Sequence, residues 1–484
     1  MPDKRDLHME PDPYTALLDQ AAGHALEYLR GLDERPVRLL AEDDELRELM
    51  GGPLPEEPGD AGTVLQALVK GVERGLVPSG NGRYYGYVVG GTLPVGMAAD
   101  WLTSAWDQNC IVHDGSPATA VAEEVCADWL LDLLDLPRGA SVAYVPACTH
   151  GELLCLAAAR HRELAKHGWD VTTQGLQNAP YVRVLANADT HSAVLRCLQI
   201  LGLGGNIEYL ATDDEARIRP EALQRALDAH TGGPLIVCGQ VGEINTGGID
   251  RLGNLCDRVH EKGGWVHLDA AIGMWAASSP TLRADVLKGI ERADSWAADA
   301  HKWLNTPYDC GVAIIADPAA HRAAVPLAAD YLNTDDGRRH PAQWGLEISR
   351  RSRVFPLWAV LRTLGRTGVA ELVDRCCANA RLFAELLAQD SMVEVVNEVS
   401  LNQVLVRFRP HVSCNAEEAP DIAADAHTAR VADLFRTQGR SWASSSHWRG
   451  QTVLRFCLIN WATTEEDVRQ AATSLLDCHR QLLG

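Results

Sequence analysis

Residues 265–303 read WVHLDAAIGMWAASSPTLRADVLKGIERADSWAADAHKW. The apolar run from Trp265 to Leu268 stops at Asp269, and a second run, Ala293 to Ala298, stops just short of His301, Lys302 and Trp303. Each run has the length of a buried strand. A carboxylate and an amine therefore stand just past two strand carboxyl ends, the edge at which open α/β sheets bind ligands. An amine there can attach an aldehyde cofactor covalently, and an acid there can keep a ring nitrogen protonated. Pyridoxal 5'-phosphate chemistry needs that pair. Singly, each residue has a plainer use, Asp269 as a helix N-cap and Lys302 as a surface cation. The rest of the chain decides between the two readings.

The 484 residues exceed one core and suit a layered α/β unit with smaller lobes. A net charge of -21 and a pI near 5.2 argue against nucleic-acid or anionic-membrane partners. No apolar run approaches the ~20 residues that span a bilayer, and the start, MPDKRDLHMEPDPY, has no apolar signal core. Thirteen cysteines, an odd number scattered without a CxxC, fit reduced thiols in a cytoplasmic protein. No HExxH or paired Cys/His spacing is present, so no metal is expected.

Ala21 to Leu32 and Val64 to Leu76 carry apolar residues at helical spacing, joined by linkers rich in Pro, Gly and acids. From about 140 the pattern alternates. Strands are expected at 141–146, 181–187, 234–239, 265–268, 293–298 and 311–316, with helices at 150–166, 191–202, 219–230 and 250–262. Such alternation predicts a mostly parallel sheet covered on both faces. After about 370 come a helix at 370–389, paired runs at 393–397 and 403–409, a helix at 423–437, a strand at 452–458 and a helix at 464–482. The division expected is a helical arm over 1–82, a large α/β domain over 83–370 and a small α+β domain over 371–484.

Three further segments bear on a cofactor. In AYVPACTHGELLCLAAAR (143–160), Thr149 and Glu152 have the spacing of a capping box at a helix start, where free amides form an anion site suited to phosphate. His191 stands between a strand and a helix, placed to cap the helix or to lie flat on a ring. In GQVGEINTGGID (239–250), Asn245 and Thr246 are candidates to reach a ring substituent, and Asp250 is expected to cap the next helix. GLGGN (202–206) ends a helix where a dinucleotide fingerprint would open one.

These segments together resemble the group II pyridoxal-phosphate-dependent amino-acid decarboxylases, which include the aromatic-L-amino-acid and glutamate decarboxylases. The resemblance runs from about Arg83 to about Val468. ADSWAADAHKWLNTPYDCG (293–311) looks like that family's lysine motif, and His267-Leu268-Asp269-Ala270-Ala271 matches its HVDAA. SPATAVAEEVCADWL (116–130), DTHSAVLRCLQILG around His191, RRSRVFPLWAVLRTLG (350–365) and LRFCLINWATTEEDV (454–468) resemble further landmarks in the same order.

The resemblance implies a fold type I enzyme with a mostly parallel seven-stranded sheet, a carboxy-lyase that decarboxylates an L-amino acid. It implies a homodimer with active sites at the subunit interface and the N-terminal helices clasping the partner. By position, Lys302 would hold the cofactor covalently, Asp269 would pair with the ring nitrogen, and His191 and Ala271 would pack on opposite ring faces. Thr149, with the backbone of Ala147 and Cys148, would take the phosphate, and His301 lies beside the lysine. Tyr84 and Tyr85 fall in the family's pocket segment, GRYYGYVVGG, and would form an aromatic wall for the substrate. Arg449 and Arg455 are the alternative, as receivers of an acidic side chain.

Two departures stand out. Ala147 and Cys148 replace the usual glycine or serine before the phosphate-binding helix. The family's loop tyrosine, which returns a proton to the substrate carbon, falls at Pro341 in an ungapped count. His340 and, further off, Tyr331 are the nearest protic side chains, so either becomes the candidate acid. The missing tyrosine also leaves open an aldehyde synthase or carbon–carbon lyase on the same scaffold. An aminotransferase would use the same lysine and acid.

Overall fold

The computed structural model describes residues 12, 14–327, 336–410 and 420–484. Five helices precede the first strand: α1 (Thr15–Arg30), α2 (Asp43–Met50), α3 (Ala61–Val72), α4 (Pro94–Trp106) and α5 (Pro117–Leu133). The chain then alternates through β1 (Ser141–Val145), α6 (Cys148–Ala165), α7 (Val171–Gln174), β2 (Arg183–Asn187), α8 (Ser192–Ile200), β3 (Ile207–Leu210), α9 (Pro220–Asp228), β4 (Leu235–Gln240), α10 (Leu252–Glu261), β5 (Trp265–Asp269), α11 (Pro280–Asp285), β6 (Ser295–Asp299) and β7 (Gly311–Ile315). After α12 (Pro318–Ala324) and α13 (Val354–Leu387) come β8 (Val393–Val395), β9 (Gln403–Phe408), α14 (Pro420–Gln438), β10 (Ser444–Trp448), β11 (Gln451–Cys457) and α15 (Glu465–Leu483).

The large sheet has the order β1-β7-β6-β5-β4-β2-β3. Only β7 runs against its neighbours, pairing antiparallel with both β1 and β6. Side chains alternate between two apolar layers. Val142 and Tyr144 of β1 join one with Val312 and Ile314 of β7, while Ala143 and Val145 join the other with Ala313 and Ile315. Both faces are thus dry, which explains the near-continuous apolar strands. The expected mostly parallel sheet is present. The sequence reading missed β3, whose IEYL leaves Glu208 and Tyr209 exposed at the sheet edge.

A second, antiparallel sheet, β10-β11-β9-β8, packs its Val404, Val406, Leu454 and Phe456 against α13, α14 and α15. Tyr85 belongs to this apolar cluster, far upstream in sequence. The helix expected from 370 begins earlier, at Val354, and breaks its helical geometry at Gly365, where φ is +59°. The division at 370/371 therefore falls inside α13. α15 opens on a capping box, Thr464 with Asp467.

One buried acid ties the segment around 336–353 to the sheet. Glu123 of α5 is fully buried and receives Arg350 on one oxygen and Arg339 Nε, at 3.0 Å, on the other. Arg339 also donates to the Val142 carbonyl at 2.7 Å, and the Tyr144 hydroxyl donates to the Glu123 carbonyl at 2.8 Å. Removing one partner of a buried ion pair leaves an uncompensated charge, at a cost of about 3–5 kcal/mol. Glu123→Gln is expected to lower the thermal midpoint clearly in calorimetry. A midpoint within a degree or so of wild type would mean that Arg339 and Arg350 do not depend on it.

Candidate active site

Lys302 follows β6 and Asp269 ends β5, on one edge of the large sheet. The pairing of these strands is parallel, with Asp269 opposite Ala297. Around the two residues gather Cys148 and Glu152 of α6, His191 before α8, and Asp299 and His301. The Lys302 Nζ lies 2.9 Å from Asp299 Oδ2. Burial works against the lysine's charge, but Asp299, Cys148 and Asp269 outweigh it and hold the ammonium above its ordinary value. Burial first, and then the neighbouring Glu152 carboxylate, push Asp269 up to about 6, against the pull of His191 and Lys302. The Asp269 Oδ1 also accepts the Ala271 amide at 3.1 Å.

Asp299 is the residue that sequence reasoning missed. Its Oδ1 accepts the Cys148 amide at 2.6 Å, at the start of α6, and lies 3.5 Å from His301 Nε2. The signal was present as an acid three positions before the lysine in DAHK.

The helix start expected to take the phosphate is there, but not built as expected. α6 begins at Cys148, and its N-cap, Ala147, is extended with no capping side chain. Thr149 and Glu152 form no capping box. Glu152 turns under the sheet to His267 Nε2 at 2.5 Å and accepts from the Cys148 thiol at 3.4 Å. The Thr149 carbonyl accepts from the Cys197 thiol at 3.2 Å.

His191 caps α8, its Nδ1 accepting the Ala193 amide at 3.2 Å, and it stands close enough to Asp269 to act on that carboxyl. The capping reading of this residue is met. With Nδ1 as acceptor, the proton sits on Nε2. His301 is buried, accepts the Cys310 amide at 3.2 Å, and lies against Tyr308 with ring centroids 4.2 Å apart. Burial lowers the pKa of the His301 ring and raises that of the Tyr308 phenol.

The substrate-pocket candidates are separated by the fold. Tyr85 is 2% exposed against Phe456 in the core of the second sheet, so it forms no pocket wall. Tyr84 stacks on Trp442 at 5.0 Å, and Tyr87, 64% exposed, meets the same indole at 5.0 Å. Gly86 makes this possible, because a Cβ there would collide with Trp442. Gly90 does the same for Lys302, whose carbonyl oxygen a Cβ would strike.

Arg449 is committed to Asp189, at 2.9 and 2.8 Å, and to the Asp213 carbonyl, so it is not free for a substrate acid. Arg455 is buried, its Nε has no partner, and its Nη1 makes only a 3.4 Å contact with Asn245. Asn245 is held by Glu243 and accepts Ser446 Oγ at 2.6 Å, and Thr246 bonds Glu215 and Glu243. Asp250 does not cap α10. It accepts the Ile218 and Gln240 amides instead, and burial raises it to about 6.

His340 is 1% exposed, with Nε2 at 2.8 Å from Asp336 and Nδ1 accepting the His113 amide at 3.4 Å. Neither partner belongs to the lysine cluster. Tyr331 lies outside the described residues.

The donor set fits pyridoxal 5'-phosphate: an amine for its aldehyde, a carboxylate for its ring nitrogen, an imidazole for its ring face and a helix N-terminus for its phosphate. Comparison with known proteins agrees. A family model described as "Pyridoxal-dependent decarboxylase conserved domain" matches residues 44–409. Tyrosine decarboxylase 1 of Narcissus pseudonarcissus is 26% identical over 479 residues, covering 96% of this chain and 92% of that protein. Phenylacetaldehyde synthase of Petunia hybrida is 28% identical over 474 residues, covering 92% and 91%. The crystal structure of Oryza sativa TDC with PLP and tryptamine superposes with a TM-score of 0.90 at 23% identity, covering 99% of each chain. The fold type I architecture and the cofactor expected from the sequence both hold, and the chain belongs to the pyridoxal-dependent decarboxylase family.

Proposed function

We propose that the enzyme removes the α-carboxylate of an L-amino acid as carbon dioxide, leaving the amine, with Lys302, Asp269 and His191 holding the cofactor. The observation that carries this is the convergence of the Lys302 amine and the Asp269 carboxylate at one sheet edge, beside the N-terminus of α6. Bound there, the cofactor acts as an electron sink for bonds to the substrate's Cα.

The chain's own residues do the rest. Asp299 holds the Lys302 ammonium, and Asp269 would keep a proton on the ring nitrogen. His191 would lie against the ring with its Nε2 proton available to Cα, and Ala271 would pack on the opposite face. The start of α6 at Ala147, Cys148 and Thr149 would receive the phosphate, which would have to displace Asp299 from the Cys148 amide. Arg455 acts on Cys457, as Lys302 does, and its unpartnered Nε is suited to a substrate carboxylate.

Tyr84, Tyr87, Trp442 and Tyr308 favour an aromatic side chain. The relatives' names point the same way: one is a tyrosine decarboxylase and one a phenylacetaldehyde synthase. Homodimerisation is supported by a groove of about 690 Å³ lined by Val95, Leu102, Trp106, Phe355 and Trp358, and by the exposed Leu18, Leu26 and Leu29 of α1. Free, buried cysteines at all twelve described positions support a reducing, cytoplasmic setting. No helix among the described residues is long and apolar enough to cross a membrane. We also assign residues 1–82 to the arm, 83–370 to the cofactor domain and 371–484 to the small domain.

One observation favours a second outcome. Pro341 stands where the family has its loop tyrosine, and His340 beside it is engaged by Asp336. With no fast proton return, oxygen can intercept the carbanion. The amino acid, oxygen and water then give aldehyde, carbon dioxide, ammonia and hydrogen peroxide. Assaying amine, aldehyde and peroxide from a panel of aromatic L-amino acids separates the two outcomes. Keto acid without carbon dioxide would overturn both.

If Lys302 carries the cofactor, the purified protein is yellow, and borohydride fixes the colour on that residue. Lys302→Ala is expected to lose the covalent link and nearly all turnover. Peptide mapping of the adduct to another lysine would end the assignment. Asp269→Asn removes a charged hydrogen bond worth about 1.5–3 kcal/mol. With about 1.4 kcal/mol per tenfold in rate, turnover is expected to fall about ten- to hundredfold with cofactor still bound. Unchanged turnover would place the acid elsewhere. Because His340 is sealed against Asp336, His340→Gln is expected to leave the amine-to-aldehyde ratio unchanged. A collapse of amine with aldehyde rising in air would restore His340 as the acid.

A further inference from the structure

Behind Asp269 lies a second acid that the mechanism above does not use. Glu152 and His267 are fully buried and meet at 2.5 Å, Oε2 to Nε2. His267 continues to Ser295 Oγ at 2.9 Å, which also receives Trp265 Nε1 at 2.9 Å. Three strands and helices are thus joined by one polar chain inside the apolar layers: α6, β5 and β6. Ligand atoms of Cys148, Glu152 and Asp269 lie within 4.8 Å of one another. Two carboxylates this close, in a site of low dielectric, act strongly on each other and on any cation placed between them.

We infer that Glu152, oriented by His267, is a positioning residue that reinforces Asp269 electrostatically, so that the site prefers a protonated cofactor ring nitrogen. His267 sits two residues before Asp269 on β5, on a strand whose alternation sends it beneath the sheet toward α6. Among the described residues, the titratable groups facing this pair are His267, Cys148, Cys155, Cys197 and Cys238 around Glu152, and Asp299, His191 and Lys302 on the open side of Asp269. Burial raises all four thiols, so they add no competing charge. In cofactor-free protein the second carboxylate opposes ionisation of Asp269. With a cationic ring nitrogen beside Asp269, the same negative charge becomes attractive. One residue therefore has effects of opposite sign in the two states.

The test uses cofactor-free protein titrated with pyridoxal 5'-phosphate and with its 1-deaza analogue, in which carbon replaces the ring nitrogen. Dissociation constants are read from tryptophan fluorescence. Wild type is expected to prefer the natural cofactor. Glu152→Gln keeps the volume and a hydrogen bond to His267, and is expected to narrow that preference about five- to tenfold, with the analogue's affinity nearly unchanged. Glu152→Asp, which keeps the charge, is expected to retain most of it. Equal losses for both ligands would show a packing role and overturn the inference, as would no loss.

The wild type carries a parallel test that needs no substitution: the preference should grow as pH rises through about 6, where Asp269 ionises beside Glu152. A flat profile also overturns the inference. The inference rests on Asp269 meeting the ring nitrogen. A wild-type protein with no preference, or one whose preference survives Asp269→Asn, would remove that reading. A preference lost in Asp269→Asn but kept in Glu152→Gln removes only the role given to Glu152.

Discussion

The parallel pairing of β5 with β6 is the constraint on which the site depends. His267 faces Ser295, Leu268 faces Trp296 and Asp269 faces Ala297. That register puts Asp269 level with the end of β6, so that Asp299 and Lys302 emerge beside it. A slip of one residue would turn each side chain to the opposite face, sending Trp296 from one apolar layer to the other. Packing of the two layers therefore fixes the relative position of the two reactive groups, with no contact between those groups required to set it.

The site is built from charges that the fold makes costly. Asp269, Asp299 and Glu152 crowd one strand edge, against Lys302, His191 and His267. Isolated carboxylates at this depth would take up protons, so each survives by having a defined partner. Asp299 has the lysine and the Cys148 amide, and Glu152 has His267. Among the described residues Asp269 is given only one amide, from Ala271, and burial and Glu152 push its pKa up. It is the group left with capacity for a cation.

Much of this was legible in the sequence, because strand-end residues announce themselves where an apolar run stops. Asp269, Lys302 and the alternation of strands and helices all followed from that. What sequence spacing did not resolve was the direction of side chains around a turn. Thr149 and Glu152 have capping-box spacing, yet Glu152 leaves the helix start because His267 offers a buried partner that local geometry cannot reveal. Asp250 was read as a cap for the same reason, and is claimed by two amides from distant segments. Tyr85 and Tyr84 are adjacent in sequence but point into different surroundings, one into the core of the second sheet and one onto Trp442. Strand β3 escaped because edge strands carry polar residues.

The pairing of Arg449 with Asp189 has a consequence for how such a protein can diverge. Asp189 stands two residues before His191, and Arg449 sits in the hairpin between β10 and β11, with its guanidinium over Trp448. The loop carrying His191 is therefore anchored by the C-terminal sheet. Exchanging that sheet with one from a relative would disturb the placement of His191 even if every residue of the lysine cluster were kept. A chimera joined along α13 therefore needs the arginine and the aspartate to travel together.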